Sequence, residues 1–259
     1  EDMTLTSISA YRSSSYQASL DDDQELIDNL SSDLWGDETT YFSQELRLSG
    51  TIGEKLSYIV GAYYFDQKIT TDRILTIGLG FGIPGDPALT TVGEVKTQSY
   101  AVFGNLDYAI TDKLKLSLGL RYSSEDKDVA FVQDDRDGIF QLLGLPSLAY
   151  TASTSDEDVS PTLSLSYQAT DEILLYARAA KGFKSAAFNV DLVGSTDGLA
   201  AGPENATSYE AGIKSDLFDR RVRANLSIFT TNYDDMQVSQ LLGSGVTLNN
   251  AGKATISGA

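Results

Sequence analysis

The 259-residue chain contains neither cysteine nor histidine. Without cysteine it has no disulfide framework, no thiolate metal site and no cysteine nucleophile. Without histidine it lacks the commonest general base and the commonest transition-metal ligand, so a Ser-His or Asp-His catalytic arrangement is impossible. No pair of carboxylates stands out from the acidic background either. The sequence therefore predicts a protein that is not an enzyme and that carries no cofactor or metal site.

Positive charge is scarce, and long apolar runs are missing. Lysine and arginine number 19 against 37 aspartate and glutamate residues, which gives a formal net charge of −18. This balance argues against a nucleic-acid partner, because phosphates need cationic contacts. The longest apolar stretch, Ile74–Ile83, is interrupted by glycines and is shorter than the ~18 residues of a transmembrane helix. A helical membrane protein is excluded, but strands can still cross a membrane, since only their alternate residues face lipid.

The chain does contain a repeated hairpin, in which two alternating strands flank a short polar turn. After one such turn, one face carries Leu114, Leu116, Leu118, Leu120 and Tyr122, and the other carries Lys115, Ser117, Gly119, Arg121 and Ser123. Strict period two indicates a β-strand with one apolar and one polar face. The predicted turns are Gly50–Lys55, Ala109–Lys113, Gln168–Glu172 and Leu217–Arg221.

The connections between hairpins are much longer than these turns and are rich in Asp, Gly, Ser and Thr. The predicted linkers are Leu20–Glu38, Thr71–Gly93, Gln133–Asp158, Asp191–Asn205 and a shorter one after Gln237. Tight turns at one rim and long loops at the other are typical of an outer-membrane barrel. The sequence therefore predicts an all-β fold, a transmembrane antiparallel β-barrel of which about ten strands are present.

The two strand faces predict how this sheet meets its surroundings. In a large membrane barrel the apolar face contacts lipid and the polar face lines a watery lumen, the reverse of a soluble barrel. Strand length and tyrosine placement favour this inverted arrangement. The tyrosines near strand ends, where an aromatic girdle would meet the headgroups, are Tyr100, Tyr108, Tyr122, Tyr167 and Tyr209.

The segment Lys181–Asn189, KGFKSAAFN, resembles a signature of TonB-dependent outer-membrane receptors. It departs from the family at Ala186 and Ala187, where glycines are common. Further similar segments occur in the family's order, namely Gly61–Phe65, Gly119–Tyr122 with Glu125 and Lys127, Pro203-Glu204, Tyr209–Lys214, Tyr233–Val238 and Asn249–Ala254. The resemblance covers nearly all predicted strands and is closest to the siderophore-receptor-like branch.

The resemblance implies an active transporter in the outer membrane of a Gram-negative bacterium. Its outer loops and plug would capture a scarce nutrient, first of all a ferric siderophore, and the TonB complex of the inner membrane would supply energy through the plug. Outer-membrane lipid and lipopolysaccharide would surround it. The family barrel has about 22 strands, so residues 1–259 are expected to be a partial barrel domain. The plug domain, TonB box, signal peptide and C-terminal strands are expected to lie outside this sequence.

Five arginines on or near the polar faces are candidate ligand contacts in the lumen. They are Arg47, Arg121, Arg178, Arg221 and Arg223. In a lumen they could contact the plug or attract an anionic ferric chelate. The competing interpretation is cross-strand pairing with carboxylates, and the candidate partners are Glu45, Asp107, Glu210 and Asp216.

The predicted loops hold two further kinds of candidate. Asp21–Asp23 and Asp134-Asp135 with Asp137 could offer carboxylates to calcium, but no loop has the spacing of a calcium loop, and solvated acidic loops are the simpler interpretation. Two apolar loop segments could form a wall against a ligand or a partner protein. They comprise Ile74, Leu75, Leu79 and Phe81 before Pro84, and Leu142, Leu143, Leu145, Leu148 and Tyr150.

Two other classes of protein remain open at this point. A complete small barrel of about ten strands could act as a passive outer-membrane pore or as a structural or adhesion protein. A soluble β-protein would be revealed by extraction without detergent. The residues that flank this sequence distinguish the receptor from the small barrel, because a receptor would have a plug before Glu1 and an aromatic final strand after Ala259.

Overall fold

A computed structural model describes residues 3–22, 24, 29–78, 80, 82–83, 85, 87–243 and 245–259. The elements are β1 Thr4–Asp21, β2 Leu30–Ile52, β3 Leu56–Ile77, β4 Ala88–Ala109, β5 Leu114–Asp135, α1 Ile139–Leu142, β6 Leu148–Thr170, β7 Ile173–Lys184, β8 Ala187–Phe188, β9 Ala200–Ala201, β10 Glu204–Leu217, β11 Val222–Asp234, β12 Gln237–Leu242, β13 Gly245–Asn250 and β14 Ala254–Gly258. Ten of the strands form one antiparallel sheet in the order β1-β2-β3-β4-β5-β6-β7-β10-β11-β14. The predicted all-β fold with about ten strands is confirmed.

The four predicted short turns are confirmed at one rim of the sheet. They join β2 to β3, β4 to β5, β6 to β7 and β10 to β11. Gly53 adopts a left-handed backbone, with φ 62°, in the first of them. In the second, the Thr111 hydroxyl accepts hydrogen bonds from the amides of Lys113 and Leu114, at 3.2 and 3.0 Å. Local turn chemistry of this kind fixes the register of each hairpin.

The predicted long linkers have the wrong boundaries, because the strands extend much further. The strands end at Asp21, Ile77 and Asp135 and the next ones begin at Leu30, Ala88 and Leu148, with the one-turn helix α1 before Leu148. The polar residues assigned to linkers still pair in the ladder, as in Asp37 with Thr71 and Thr71 with Gly93. A ladder is held by backbone groups, so a strand needs no apolar side chains where both of its faces can be polar. The predicted linker Asp191–Asn205 begins earlier, after Lys184.

The residues of 185–203 and of the β12–β13 hairpin lie over one face of the sheet, called here the inner face. The opposite, outer face carries an exposed apolar band next to the short turns. On β4 this band runs from Tyr100 to Tyr108 through Val102 and Leu106, all more than 40% exposed. Its length along the strand is roughly 26 Å at ~3.3 Å per residue, close to the height of lipid-facing bands in membrane barrels. The predicted inverted arrangement of the faces is confirmed.

The chemistry of both faces changes beyond this band. On the outer face, the ring pair Tyr64–Tyr100, with centroids 5.0 Å apart, is followed at once by the polar pair Asp66–Gln98. On the inner face, Ala101 is buried at the edge of the band, and the large buried apolar residues lie beyond it. The resulting core consists of Leu75, Ile77, Leu89, Phe140 and Leu145. The strands thus project past the apolar band into a water-facing rim with its own hydrophobic core.

Candidate functional site

Two chain segments build a second layer on the inner face at the long-loop rim. We call residues 185–203 and 237–250 together the inner layer. The two segments are joined by hydrogen bonds from Val246 N to Leu192 O, at 2.7 Å, and from Leu248 N to Gly198 O, at 2.8 Å. A Cβ atom on Gly245 would lie 2.3 Å from Gly194 N, so only glycine permits this close approach. The layer is therefore one packed unit.

Buried side chains of the sheet hold the inner layer in place. The Gln133 amide, 1% exposed, donates to Val193 O at 2.7 Å and accepts from Val193 N at 2.9 Å, completing both polar groups of that residue. The Tyr150 hydroxyl donates to Asn189 O, and burial raises the pKa of Tyr150 to about 12. These bonds replace water for backbone groups that have no strand partner.

A charged cluster anchors the start of the layer. Lys127 Nζ lies 2.9 Å from Glu125 Oε1 and donates to Ser185 Oγ at 2.5 Å and to Ala186 O at 2.9 Å. The Ala186 amide donates to Asp156 Oδ2 at 3.0 Å. All these residues are at least half-buried. The Lys127 and Glu125 charges compensate each other, and the Asp156 carboxylate is stabilised by hydrogen bonds alone. The cluster brings together segments that carry the family resemblance, Lys181–Asn189 and the strand containing Glu125 and Lys127.

A cavity of about 380 Å³ lies between the sheet and the inner layer. Its polar wall is formed mainly by Arg73 and Thr71 from β3, Lys184, Asp191 and Gln237. Its apolar wall is formed by Ala187, Phe188, Val190, Val246 and Leu248. The cavity is partly open, and a concave space with apolar walls and a few convergent polar groups is the usual form of a small-molecule site.

Arg73 is the buried cation of this cavity, with 7% of its side chain exposed. Its Nη2 donates to Asp37 Oδ1 at 2.8 Å, its Nη1 donates to Gly36 O, and the guanidinium lies 4.2 Å from the ring centre of Trp35. Its Nε is buried without a hydrogen-bond partner. Asp191 Oδ1 is 3.9 Å from that Nε, which is close enough for an ion pair but too far for a hydrogen bond. Burial raises the pKa of Asp191, and the nearby Arg73 charge only partly opposes this rise.

Gln237 carries an unpaired hydrogen-bond acceptor, whereas Arg73 carries an unpaired donor. Gln237 Nε2 donates to Ser185 O at 2.8 Å and to Gly202 O at 2.9 Å, which fixes the amide. Its Oε1 is buried and has no hydrogen-bond partner. Arg73 and Gln237 both line the cavity, but Arg73 Nε and Gln237 Oε1 themselves are buried and have no hydrogen-bond partner within the described part of the chain.

None of the five arginines that the sequence singles out lines this cavity. Arg47, Arg121 and Arg178 lie on the inner face at the height of the apolar band, and Arg223 lies on the inner face near the short turns. Arg221 lies in the last short turn.

The competing interpretation was that these arginines pair with carboxylates on neighbouring strands. The structure shows such pairing for only some of them. Arg223 binds Asp216 across strands with two bonds of 2.5 and 3.1 Å. Arg47 Nε is 2.7 Å from Glu45 Oε1, a neighbour on its own strand, without hydrogen-bond alignment. Arg121 instead lies over the rings of Tyr63 and Phe103, with distances of 5.5 and 5.8 Å to the ring centres.

The two remaining predicted carboxylate partners contact other residues. Asp107 pairs with Lys115 at 2.8 Å, and Glu210 accepts a hydrogen bond from the Tyr176 hydroxyl. Arg178 forms no ion pair with any residue that the structure describes. Arg121 has no ion pair within the described residues either, so both arginines leave an unpaired positive charge on the inner face.

The predicted loop candidates have different roles from those expected. Asp22 Oδ2 accepts from Ser32 Oγ at 2.6 Å, Asp135 Oδ2 accepts from Gln141 N at 2.7 Å, and no three acidic groups among the described residues are arranged to hold a metal ion. The prediction that Leu75 and Leu145 form a wall against a ligand or a partner protein is wrong, because both side chains are buried in the rim core. Ile74 and Leu148 lie in strands. The predicted residues Asp23, Leu79, Phe81 and Pro84 lie outside the described residues.

Among the described residues, no helix has the length and apolar character needed to cross a membrane. The outer band of exposed apolar residues and the layered inner face together define the wall of a transmembrane β-barrel. Residues 2–259 match the family described as TonB dependent receptor-like, beta-barrel, and the chain belongs to this family. Members of this family are transport receptors.

Sequence and structure comparisons agree with this assignment. The chain is 26% identical over 217 residues to the pesticin receptor of Yersinia enterocolitica, covering 83% of this chain and 30% of that protein. The crystal structure of the ferric yersiniabactin uptake receptor FyuA from Yersinia pestis is also similar, with a TM-score of 0.82 and 22% identity. The match covers 100% of this chain and 36% of the FyuA chain. The siderophore receptor PiuA from Acinetobacter baumannii matches 99% of this chain with 41% of its own length, at a TM-score of 0.72 and 18% identity. The two structures establish the fold, and the chain spans 30% of the length of the curated relative.

Proposed function

We propose that this chain forms part of the barrel wall of an outer-membrane receptor that takes up a metal chelate, most simply a ferric siderophore. One observation carries the proposal. An inner layer, held by Gln133, Tyr150 and Lys127, forms a partly open cavity with polar and apolar walls on the inner side of a sheet whose outer face is apolar. A receptor that captures a scarce ligand needs a concave site of this kind between its loops and its wall.

The outer membrane of a Gram-negative bacterium is the proposed location. The apolar band of β4 is bounded by Tyr100 and Tyr108, as expected of an aromatic girdle at each headgroup layer. Family membership supports uptake energised by the TonB complex, acting through a plug domain outside this sequence. Ferric siderophore is the first ligand to test, because two of the similar solved structures are a ferric yersiniabactin uptake receptor and a siderophore receptor.

A small passive barrel is the second candidate, and the sheet topology argues against it. In the described part of the chain β1 and β14 are the two edges of the sheet and do not pair with each other. A complete membrane barrel must close, because unpaired backbone groups are not tolerated in lipid. More strands are therefore proposed to complete the wall.

Uptake of radiolabelled ferric yersiniabactin by cells that express the full-length protein tests the function. We expect accumulation that requires both the receptor gene and an intact TonB complex. The matched control is the same strain without TonB. Accumulation that is equal with and without TonB would instead identify a passive pore, and ferric chelates of other chemistry then extend the ligand screen.

A further inference from the structure

The rim half of β6 is paired along only one of its two edges. β5 pairs with β6 over residues 148–167, whereas β7 pairs with it only over residues 162–170. After Lys184 the chain leaves the sheet and enters the inner layer, and the next strand, β10, begins at Glu204 opposite Lys184. No described residue pairs through its backbone with residues 149–157 on the side away from β5.

The ladder with β5 shows which backbone groups lie along this unpaired side. Gln168 N donates to Lys113 O at 2.7 Å, and the register from there to residue 148 has no shift, so even-numbered residues of β6 point their N–H groups towards β5. Successive residues of an antiparallel ladder point their hydrogen-bonding groups to opposite sides. The odd-numbered residues therefore present N–H and C=O away from β5. We call them the free edge: Ala149, Thr151, Ser153, Ser155 and Glu157, all exposed.

The free edge lacks the features with which proteins usually prevent pairing at a sheet edge. Lysine, proline, bulges and short length are the common ones. Residues 149–157 contain neither lysine nor proline, and their ladder with β5 has no bulge. Pro161, which has no N–H, comes only next to the stretch that β7 covers. The free edge also lies beyond Tyr122, the last tyrosine of the apolar band on β5, so it is in water. A long open edge of this kind can accept a further strand.

The outer face beside the free edge is acidic. Glu157 belongs to the edge, and Asp126 and Asp128 lie on the stretch of β5 that pairs with it. All three are exposed, and none forms an ion pair in the described part of the chain. Lys96, opposite Asp128 on β4, is already paired with Glu94 at 2.9 Å. Positive side chains on an added strand would complement these carboxylates.

We propose that the free edge binds an extended cationic segment of another polypeptide as an added strand. The segment continues the line of β7 and therefore runs antiparallel to β6. Its backbone pairs with the free edge, and its lysine or arginine side chains, at alternate positions, lie on the outer face near Glu157, Asp126 and Asp128. A second copy of this chain is a poorer occupant, because it would bring the same three carboxylates to the same face. The proposal goes beyond chelate uptake and does not depend on it.

Fluorescence anisotropy with the full-length protein in detergent tests this chemistry. The probe is a labelled nonapeptide of alternating lysine and threonine. One control peptide has a methyl group on the backbone nitrogen of every lysine, which keeps the charge but removes the amide hydrogens that would face β6. A second control has glutamate in place of lysine. We expect saturable binding of the probe and at least about tenfold weaker binding of both controls. Equal affinity of either control, or no saturation by the probe at about 1 mM, overturns the proposal.

Hydrogen exchange with single-residue resolution locates the bound peptide. The amides of Thr151, Ser153 and Ser155 should exchange at least about tenfold more slowly with saturating probe. Those of Ala152 and Thr154 point to β5 and should not change. If the three odd-numbered amides are already protected without peptide, another segment of the protein or a second copy covers the edge, and the proposal is wrong. Repeating the measurement at two protein concentrations distinguishes these two occupants.

Variants connect the binding to this edge. Ser155→Pro removes one N–H from the free edge and places a ring against the added strand, but leaves the ladder with β5 intact. It should weaken probe binding at least about tenfold, whereas the matched control Ser155→Ala should bind normally. Asp126→Asn keeps the shape of an exposed side chain without described contacts, and should weaken binding by about twofold to fivefold at low salt. Unchanged binding in either Ser155→Pro or Asp126→Asn would refute the site.

Discussion

Gly93 on β4 is a point of close approach between the inner layer and the sheet. A Cβ atom at this position would lie 2.7 Å from Val190 Cβ and 2.6 Å from Thr71 Oγ1. Both distances are well inside van der Waals contact, so Gly93→Ala must push Val190 away from the sheet. The same displacement breaks the hydrogen bond from Thr71 Oγ1 to Val190 O, which is 3.1 Å long.

The expected cost of Gly93→Ala is about 2–4 kcal/mol in the free energy of opening the inner layer. Overpacking of this kind costs about 1–3 kcal/mol, and the lost hydrogen bond contributes about 1 kcal/mol. At about 1.4 kcal/mol per tenfold change, the amides of residues 185–203 should exchange hydrogen at least about 30-fold faster. Val193 N, which is bonded to Gln133 Oε1, is the most informative amide.

Hydrogen exchange followed by mass spectrometry on the full-length protein measures this effect. Gly104→Ala is the matched control, because it lies on the same strand and its Cβ would be 3.6 Å from the nearest atom, Val60 Cγ1. We expect wild-type protection of the inner layer in Gly104→Ala. If Gly93→Ala exchanges no faster than Gly104→Ala, the close approach between layer and sheet is wrong.

Three further predictions concern the inner layer and the apolar band. Burial raises the pKa of Asp191, so protection of the inner layer should increase as pH falls from neutrality through that pKa, and Asp191→Asn should remove this dependence in hydrogen exchange corrected for intrinsic rates. Tyr150→Phe loses the bond to Asn189 O and should destabilise the layer by about 1 kcal/mol; the wild-type-minus-variant absorbance titration should show one phenol with a pKa of about 12. Leu118→Arg, on the lipid face, should cost about 2–4 kcal/mol in a reversible refolding assay in lipid vesicles, whereas Ser117→Arg, on the polar face beside it, should be tolerated. Equal effects of these two arginines would refute the assignment of the faces.

The hairpins were predictable because their signals are local. Period two along Leu114–Tyr122 identifies a strand and its two faces, and the polar turn at Thr111 identifies where it reverses. The strand ends at the opposite rim were not predictable from composition. Asp37 and Thr71 look like loop residues, yet they face each other in the ladder, because the backbone pairs without regard to side-chain polarity where water covers the outer face.

The candidate site depends on contacts that local patterns do not contain. Arg73 falls inside a predicted linker, and nothing near it in sequence shows that the segment after Lys184 turns back over the sheet. Two signals could have pointed to the site. Arg73 alternates with Leu75 on the inner face, and Gln237 belongs to Tyr233–Val238, one of the segments that carries the family resemblance.

Along each strand the apolar residues change from the outer face to the inner face. This change restricts which insertions and deletions the strands can accept. On β5 the apolar residues occupy the outer face up to Tyr122 and the inner face at Val129 and Phe131. Inserting or deleting one residue between these two stretches would turn one of them over, placing Lys115 against lipid or Phe131 in water. Insertions of two residues would preserve both. We therefore expect related walls to lengthen or shorten their rims in even steps, or to compensate an odd step with a β-bulge.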